Sequence, residues 1–465
     1  MNLRRIAIVG NGSLGLYTAI QIKLTFPQVE VHLYGEHTRK YAASTAAGAM
    51  ANVYAEMENA TGYIAEVNER YLEMGKYSSV KWREFLEKTS GQDCITSDDT
   101  YIYLQKIASD FEKENYNSVI KYARHDRVLQ ELTQIEIKEN FPNTAQFAIS
   151  DAIKIQGEFS FSVENLFKHL DSVANTLGVV IKDVMAENID LSKMTLSDDS
   201  GTHTYDRLIV MAGINTKKIL SDSNVIPFYQ GVGVAMLINK IDDLEVNKLR
   251  KGVFRSVNRG GAQCGIHIVP RENGKFYLGA GNYVSRLEEP VIRMDTIRYL
   301  LATLEKDLIG RENAYQLTGN FVLGLRPRTQ DGFPAIGALE TNDRVFVASG
   351  TNRAGLTWAP FIADETLKWL TGGTQSELIN DWNPERNPIA FGSTENGINY
   401  FTASRLSNAK EHGLILDEDT QEIVERKKLE FATTAKILAQ QVSDKLKLPA
   451  GQTVNPDNWA AILSS

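Results

Sequence analysis

Cysteine is nearly missing from this sequence. Cys94 and Cys264 are the only two, far apart and in no Cys-x-x-Cys spacing. A cysteine-built zinc site and a disulfide framework are thereby excluded, and a reducing compartment fits. Basic charge is in deficit as well: 50 Lys and Arg against 58 Asp and Glu leave a net charge of -8. A nucleic-acid binder would carry a clustered basic excess, so no such partner is expected. No apolar run approaches the length of a membrane span. Arg4 and Arg5 precede an apolar stretch, as in a signal peptide, but Gly10, Gly12 and Gly15 interrupt it and no small-residue cleavage site follows. The cytoplasm is the expected location. Hydrolase signatures are missing too, with no His-Glu-x-x-His, no Gly-x-Ser-x-Gly and no P-loop lysine. His32, His37, His125, His169, His203 and His412 show no metal-ligand spacing.

What is present is enough hydrophobic residue, 43% of 465, to fill the cores of two or three domains. Ile6 to Val9 is a short continuous apolar run, as in a strand buried on both faces of a parallel sheet. Gly10-Asn11-Gly12-Ser13-Leu14-Gly15 follows, then a helical pattern over Leu16 to Leu24, closed by Pro27, and a second strand over Val29 to Tyr34. This is a βαβ unit with a dinucleotide turn. Gly10 permits the tight turn, Gly12 lets backbone approach a pyrophosphate, and Gly15 lets helix pack on strand. The helix N-terminus, with Ser13 and Leu14, offers N–H groups to the phosphates. Gly35 occupies the position of the usual ribose-binding acid and Glu36 follows it, so Glu36 is either a ribose ligand or a surface carboxylate.

Helical spacing is expected in Trp82 to Lys88 and Ser162 to Leu177, and strands in Val179 to Val184 and Arg207 to Ala212. The strand ends, Val184 and Ala212-Gly213, are candidates for cofactor contact. From Val232 to Leu237 and Gly265 to Gly281 the pattern turns to alternating strands, expected to form a mainly antiparallel sheet. An amphipathic helix over Met294 to Leu308 comes next. Glu418 to Leu446 reads as one long helix with Ile423, Phe431, Ala435, Leu438, Val442 and Leu446 on a stripe. Such a stripe packs on its own protein or on a second copy, so a homodimer is a candidate assembly.

The motif order resembles a known family. Gly10 to Gly15 is followed by Ser44-Thr45-Ala46-Ala47-Gly48, by Gly324-Leu325-Arg326-Pro327-Arg328-Thr329-Gln330-Asp331-Gly332-Phe333-Pro334-Ala335-Ile336-Gly337, and by Gly350-Thr351-Asn352-Arg353-Ala354-Gly355-Leu356-Thr357-Trp358-Ala359-Pro360. This is similar to FAD-dependent amine and amino-acid oxidases of the glycine oxidase, D-amino-acid oxidase and sarcosine oxidase type, over about residues 1 to 390. The resemblance implies an α/β fold with a doubly wound FAD domain (1–90, 155–226 and 320–394) and a mainly antiparallel substrate domain (91–154 and 227–319). A helical extension (395–465) lies outside it. The implied cofactor is non-covalent FAD; Cys264 could in principle anchor a flavin, or be a small residue beside a strand. The implied reaction is hydride transfer from a small amine or amino acid to flavin N5, with dioxygen or another acceptor reoxidising the flavin.

By the same resemblance Arg326 would clamp a substrate carboxylate with paired hydrogen bonds, and Arg353 would lie near the flavin or substrate. Ser44, Thr45, Ala47 and Gly48 would lie against the flavin ring, and Gly350, Asn352, Gly355, Leu356 and Thr357 would lead a helix N-terminus to its pyrimidine edge. Two positions depart from the pattern. His267 stands where glycine oxidase has a tyrosine, and Tyr229 replaces a common arginine. His267 either contacts substrate and titrates near neutral pH or is a packed core histidine. Three alternatives stay open: a dehydrogenase of the same fold with a non-oxygen acceptor, a tailoring enzyme for a larger amine, and a non-catalytic flavin-binding partner protein.

Overall fold

The structure, a computed structural model, describes residues 3–59, 63–221, 223–239, 242–258, 265–285, 290–411, 414–415 and 420–465. Cys264, His412 and Glu418 lie outside the described residues.

The opening βαβ unit forms as its sequence predicts: β1 (Arg5–Val9), α1 (Ser13–Thr25) and β2 (Glu30–Tyr34). Both strands belong to a six-stranded sheet whose spatial order is Ala335–Ala338, Val345–Ser349, Arg207–Val210, β1, β2, Val180–Lys182. Every neighbouring pair is parallel except the edge strand Ala335–Ala338. Both faces are covered, and Ile6, Ala7, Ile8 and Leu208 are fully buried, which is why these strands are apolar runs without alternation. The third strand is shorter than its expected Val179 to Val184, ending at Lys182.

A second sheet of nine strands contains the alternating segments. Phe228–Ile238 pairs with Gly319–Thr329 on one side and Phe276–Ser285 on the other, both antiparallel. One pair departs from the antiparallel rule, Val253–Ser256 with Ile95–Gln105. The strand Gly319–Thr329 belongs to this sheet by its pairing with Phe228–Ile238, although residues from 320 on are expected in the FAD domain. The amphipathic helix starts at Met294 as expected, but its last turn, Leu304–Ile309, widens into a π-helix.

Beyond residue 390 the chain forms helices Thr394–Glu411, Gln421–Leu446 and Trp459–Ser464. Ala435, Ala439 and Val442 of the long helix bury against Phe401, Trp459 and Ile462, and Tyr229 of the second sheet joins that cluster. The stripe is therefore used within the chain, although Leu429 and Ile437 remain exposed. Asn458 stitches this region to the sheet by donating from Nδ2 to the carbonyls of Thr329 (3.1 Å) and Gln330 (3.2 Å). Among the described residues no helix is long and apolar enough to cross a membrane.

Candidate active site

A cavity of about 1020 Å³ runs from the carboxyl end of β1, between the two sheets, to the C-terminal helices. Its first end is built of backbone. Gly10 has φ +117°, and a Cβ there would come within 2.2 Å of the Met211 carbonyl oxygen, so only glycine fits. A Cβ at Gly15 would meet the Gly10 oxygen at 1.8 Å, which explains the close helix packing. Gly12 caps α1 with no side chain of its own, and no acid occupies the first turn. The positive end of the helix is thus left for an anion from elsewhere. Asn11 donates from Nδ2 to the carbonyls of Gly35 (2.8 Å) and Glu36 (3.0 Å), holding the Glu36 loop at the cavity rim.

The middle of the cavity is a sharp turn of small residues. Ser44 accepts from the Ser13 backbone N–H at 3.2 Å, joining this turn to the start of α1. Buried Arg271 donates to the carbonyls of Ala47 (3.1 Å) and Gly48 (2.9 Å), and burial lowers its pKa to about 10. Opposite lies the turn from Gly350 to Thr357, where Gly350 has φ +73° and a Cβ would strike Thr329 at 2.6 Å. Fully buried Trp82 fixes this turn by donating its indole N–H to the Leu356 carbonyl at 3.0 Å. The helix Ala359–Thr371 follows, with no acid in its first turn, so a second positive helix end faces the cavity.

The far end is charged. Arg326, on Gly319–Thr329, donates from Nη1 to Asn282 Oδ1 at 2.9 Å. It passes over Gly233, where a Cβ would lie 2.6 Å from Nη2. Arg353 pairs with Glu56 at 2.9 Å, and fully buried Arg255 takes the other oxygen of the same carboxylate at 2.8 Å. Burial alone would raise the Glu56 carboxyl, but the charges of Arg353 and Arg255 hold it at about 2. Glu58, on the same segment, is pushed by burial up to about 7, with Asp457 and Glu56 adding to the rise against the pull of Arg353. Tyr400, on the first C-terminal helix, donates to Glu58 Oε2 at 3.4 Å. Buried Glu158 shapes this segment by accepting the backbone N–H groups of Val53 (2.6 Å) and Tyr54 (2.7 Å).

Of the expected residues, Gly10, Gly12, Ser13, Leu14, Glu36, Ser44, Ala47, Gly48, Ala212 and Gly213 line this one cavity. So do His267, Arg326, Gly350, Asn352, Arg353, Gly355, Leu356 and Thr357. Four do not. Gly15 lies one helical turn behind the wall, against Gly10. Thr45 turns away, its hydroxyl donating to the carbonyls of Arg39 and Ala42, both at 3.2 Å. Val184 packs into the cluster under β1 and β2, leaving its neighbours Met185 and Ala186 on the wall. Tyr229 shares the strand face of Arg326 and Arg328 but lies further along the sheet, where the C-terminal helices cover it, its hydroxyl 3.3 Å from Ser465 Oγ. The neutral-pH titration considered for His267 is also corrected: burial, with the charge of Arg255, pushes its imidazole down to about 3. It stacks on Tyr277 at 5.8 Å between ring centres and stays neutral.

Sequence reasoning missed Glu56, Glu58, Arg255, Arg271 and Tyr400. No motif flags them; the one available signal was a pair of acids at 56 and 58 after a small-residue turn, which is common on surfaces. Among the described residues no His, Cys, Asp and Glu cluster suits a metal ion.

The glycine cradle at the end of β1, two acid-free helix starts and the cavity size fit an extended dinucleotide with room for a substrate. Comparison with known proteins agrees. The chain is 23% identical over 394 residues to glycine oxidase of Geobacillus kaustophilus (strain HTA426), covering 83% of this chain and 94% of that one. The crystal structure of a glycine oxidase from Geobacillus kaustophilus superposes with a TM-score of 0.68 at 17% identity, over 82% of this chain and 99% of that one. Iminodiacetate oxidase from Chelativorans sp. BNC1 gives 0.66 at 16%, over 82% and 99%. The dithionite-reduced L-alpha-glycerophosphate oxidase of Mycoplasma pneumoniae with FAD bound gives 0.64 at 16%, over 83% and 99%. Residues 5–369 match the family described as FAD dependent oxidoreductase (DAO), and the chain belongs to that family of FAD-binding enzymes.

Proposed function

We propose that this enzyme oxidises the C–N bond of an amino acid, or of another amine that carries a carboxylate. The observation that carries the reading is Arg326. Its guanidinium lies at the charged end of the cavity, fixed on one side by Asn282, and its remaining donors are arranged in the fork that suits a carboxylate. The cofactor end is assigned residue by residue. Gly10, Gly12, Ser13 and Leu14 receive the pyrophosphate, Glu36 the ribose, and Ala212 and Gly213 the adenosine side. Ser44, Ala47 and Gly48 face the ring system from one side, and the turn from Gly350 to Thr357 approaches it from the other.

Bound FAD supplies a non-covalently held two-electron acceptor that takes the substrate hydride, the resulting imine hydrolysing afterwards. The chain's own contribution is orientation. Arg326 holds the carboxylate, His267 offers a neutral imidazole to the pocket, and the buried Arg255–Glu56–Arg353 array keeps the pocket wall rigid. Dioxygen is the proposed acceptor for reoxidation, a homodimer the proposed assembly, and the cytoplasm, where buried Cys94 stays reduced, the proposed location. Release of hydrogen peroxide during turnover tests the acceptor, since a dehydrogenase releases none.

Arg326→Ala tests the clamp. KM for a carboxylate substrate is expected to rise by roughly 30-fold to several thousand-fold, about 2–5 kcal/mol, with flavin content unchanged. An unchanged KM overturns the assignment.

A further inference from the structure

The C-terminal helices lie beyond the family match, which ends at residue 369, yet they reach the cavity. Phe391, Tyr400 and Asn455 line it together with Arg326, Arg353 and Glu58. Glu58 stands out among the carboxylates there. Glu56 is neutralised by two guanidinium groups, whereas Glu58 lies 3.9 Å from Arg353 and takes two long hydrogen bonds, from Tyr400 (3.4 Å) and Asn258 (3.3 Å). The segment is anchored from behind, Asn68 donating to the Glu58 carbonyl at 2.8 Å, so the side chain is presented by a fixed backbone.

We propose that Glu58 is the group that receives the proton of the substrate ammonium, and that Tyr400 of the C-terminal region is its positioning residue. The inference rests on the amino-acid reading above. An α-amino acid arrives mainly as an ammonium, which has no lone pair to stabilise the developing imine. With its carboxylate on Arg326, the ammonium transfers one N–H proton to a Glu58 oxygen. The N–H bond breaks, the O–H bond forms, and its electron pair stays on nitrogen. The products are a neutral amine and a neutral carboxylic acid, with no change of oxidation state. Hydride loss from Cα then becomes possible. The ammonium also complements the cavity, since Glu58 supplies a carboxylate to the same cavity that the Arg326 guanidinium lines.

The surroundings suit this exchange. Facing Glu58 are Arg353, Glu56, Asp457 and Tyr400, while Arg255, Arg328 and Arg405 face Glu56 and Asp457. Burial with the two neighbouring acids raises Glu58 to about 7, near a working pH, as an acid–base group requires. Glu58 is the base only when ionised, so efficiency rises with pH through about 7 and falls away below it. His267 cannot supply the same limb, being neutral above about 3.

The test is anaerobic flavin reduction in the FAD-loaded full-length protein, wild type, Glu58→Gln, Glu58→Asp and Tyr400→Phe, from pH 5.5 to 9. A parallel titration follows flavin absorbance on binding the matched carboxylic acid without an amine. Support is a wild-type second-order reduction rate that rises through a pKa near 7. In Glu58→Gln that limb disappears and the rate falls roughly 100-fold or more. Glu58→Asp recovers the limb in part, Tyr400→Phe moves its midpoint, and every variant binds the carboxylic acid as wild type does. The proposal is overturned if Glu58→Gln keeps the wild-type limb and rate. It is equally overturned if the limb is lost together with carboxylic-acid binding, which marks a disrupted pocket. Failure of wild type itself to bind the carboxylic acid or to be reduced by any amino acid instead sinks the amino-acid reading, and this inference with it.

Discussion

The two ends of the cavity are made differently. At the β1 end the wall is main chain: Gly10, Gly12 and Gly213 present no side chain, and the turn geometry itself is the site. At the other end the wall is polar and ionisable side chains from distant segments. Glu56 and Glu58 follow the small-residue turn, Arg255 comes from a sheet strand, Arg353 from the second glycine turn and Tyr400 from the C-terminal helices. At Gly10 and Gly15 an added Cβ would strike main-chain oxygens, so the cradle tolerates almost no substitution there. A side-chain site can be retuned residue by residue, and its charges can be moved between partners. On the proposed reading, the first end holds the cofactor and the second is where substrate choice can be retuned.

Breaking the backbone end has the larger effect. Gly10→Val combines a φ of +117° with a Cβ that would lie 2.2 Å from the Met211 oxygen. The variant is expected to lose nearly all bound flavin, read as the ratio of visible to ultraviolet absorbance of the purified protein. Retained stoichiometric flavin would show that the backbone cradle can shift to admit a side chain.

Breaking the charged end has a graded, pH-dependent effect. Glu56→Gln leaves Arg255 and Arg353 facing each other without a full counter-charge, at a cost on the order of 2 kcal/mol near neutral pH. The sign follows from the lowered pKa. Glu56 is more acidic folded (about 2) than its ordinary 4.5, so its contribution is complete above 4.5 and is lost as pH falls towards 2. Denaturant midpoints of wild type and Glu56→Gln should therefore differ most above pH 5 and converge on acidification. A difference independent of pH would mean that Glu56 acts by packing and not by charge.

The same division decides what could be read from the sequence. The glycine spacing of Gly10 to Gly15 follows from local backbone geometry, as does the run Ile6 to Val9, so both were legible at short range. Arg326 was reachable because its motif is contiguous. Glu58 and Tyr400 are 342 residues apart, and nothing in either neighbourhood announces the other. Val184 and Thr45 failed for a smaller reason. Proximity to a strand end or a motif does not say on which side a side chain falls, and one residue of register reverses it. Tyr229 failed differently: it shares the strand face of Arg326, but its stretch of that face is covered by helices beyond the family match.

Tyr229 is also where the smallest effect is expected. It sits 9% exposed in the cluster of Phe401, Val442 and Trp459, and its hydroxyl makes only two long contacts, with Ser465 Oγ (3.3 Å) and Gln330 Nε2 (3.4 Å). Tyr229→Phe removes those contacts and keeps the ring. Two long, neutral hydrogen bonds contribute at the low end of the usual range, so stability should fall by about 0.5–1 kcal/mol. KM and the pH profile of flavin reduction should not move, because the ring packs in the C-terminal cluster and does not line the cavity. A shift in KM with unchanged stability would return Tyr229 to the substrate wall. It would also mean that the C-terminal helices transmit to the pocket through this strand as well as through Tyr400.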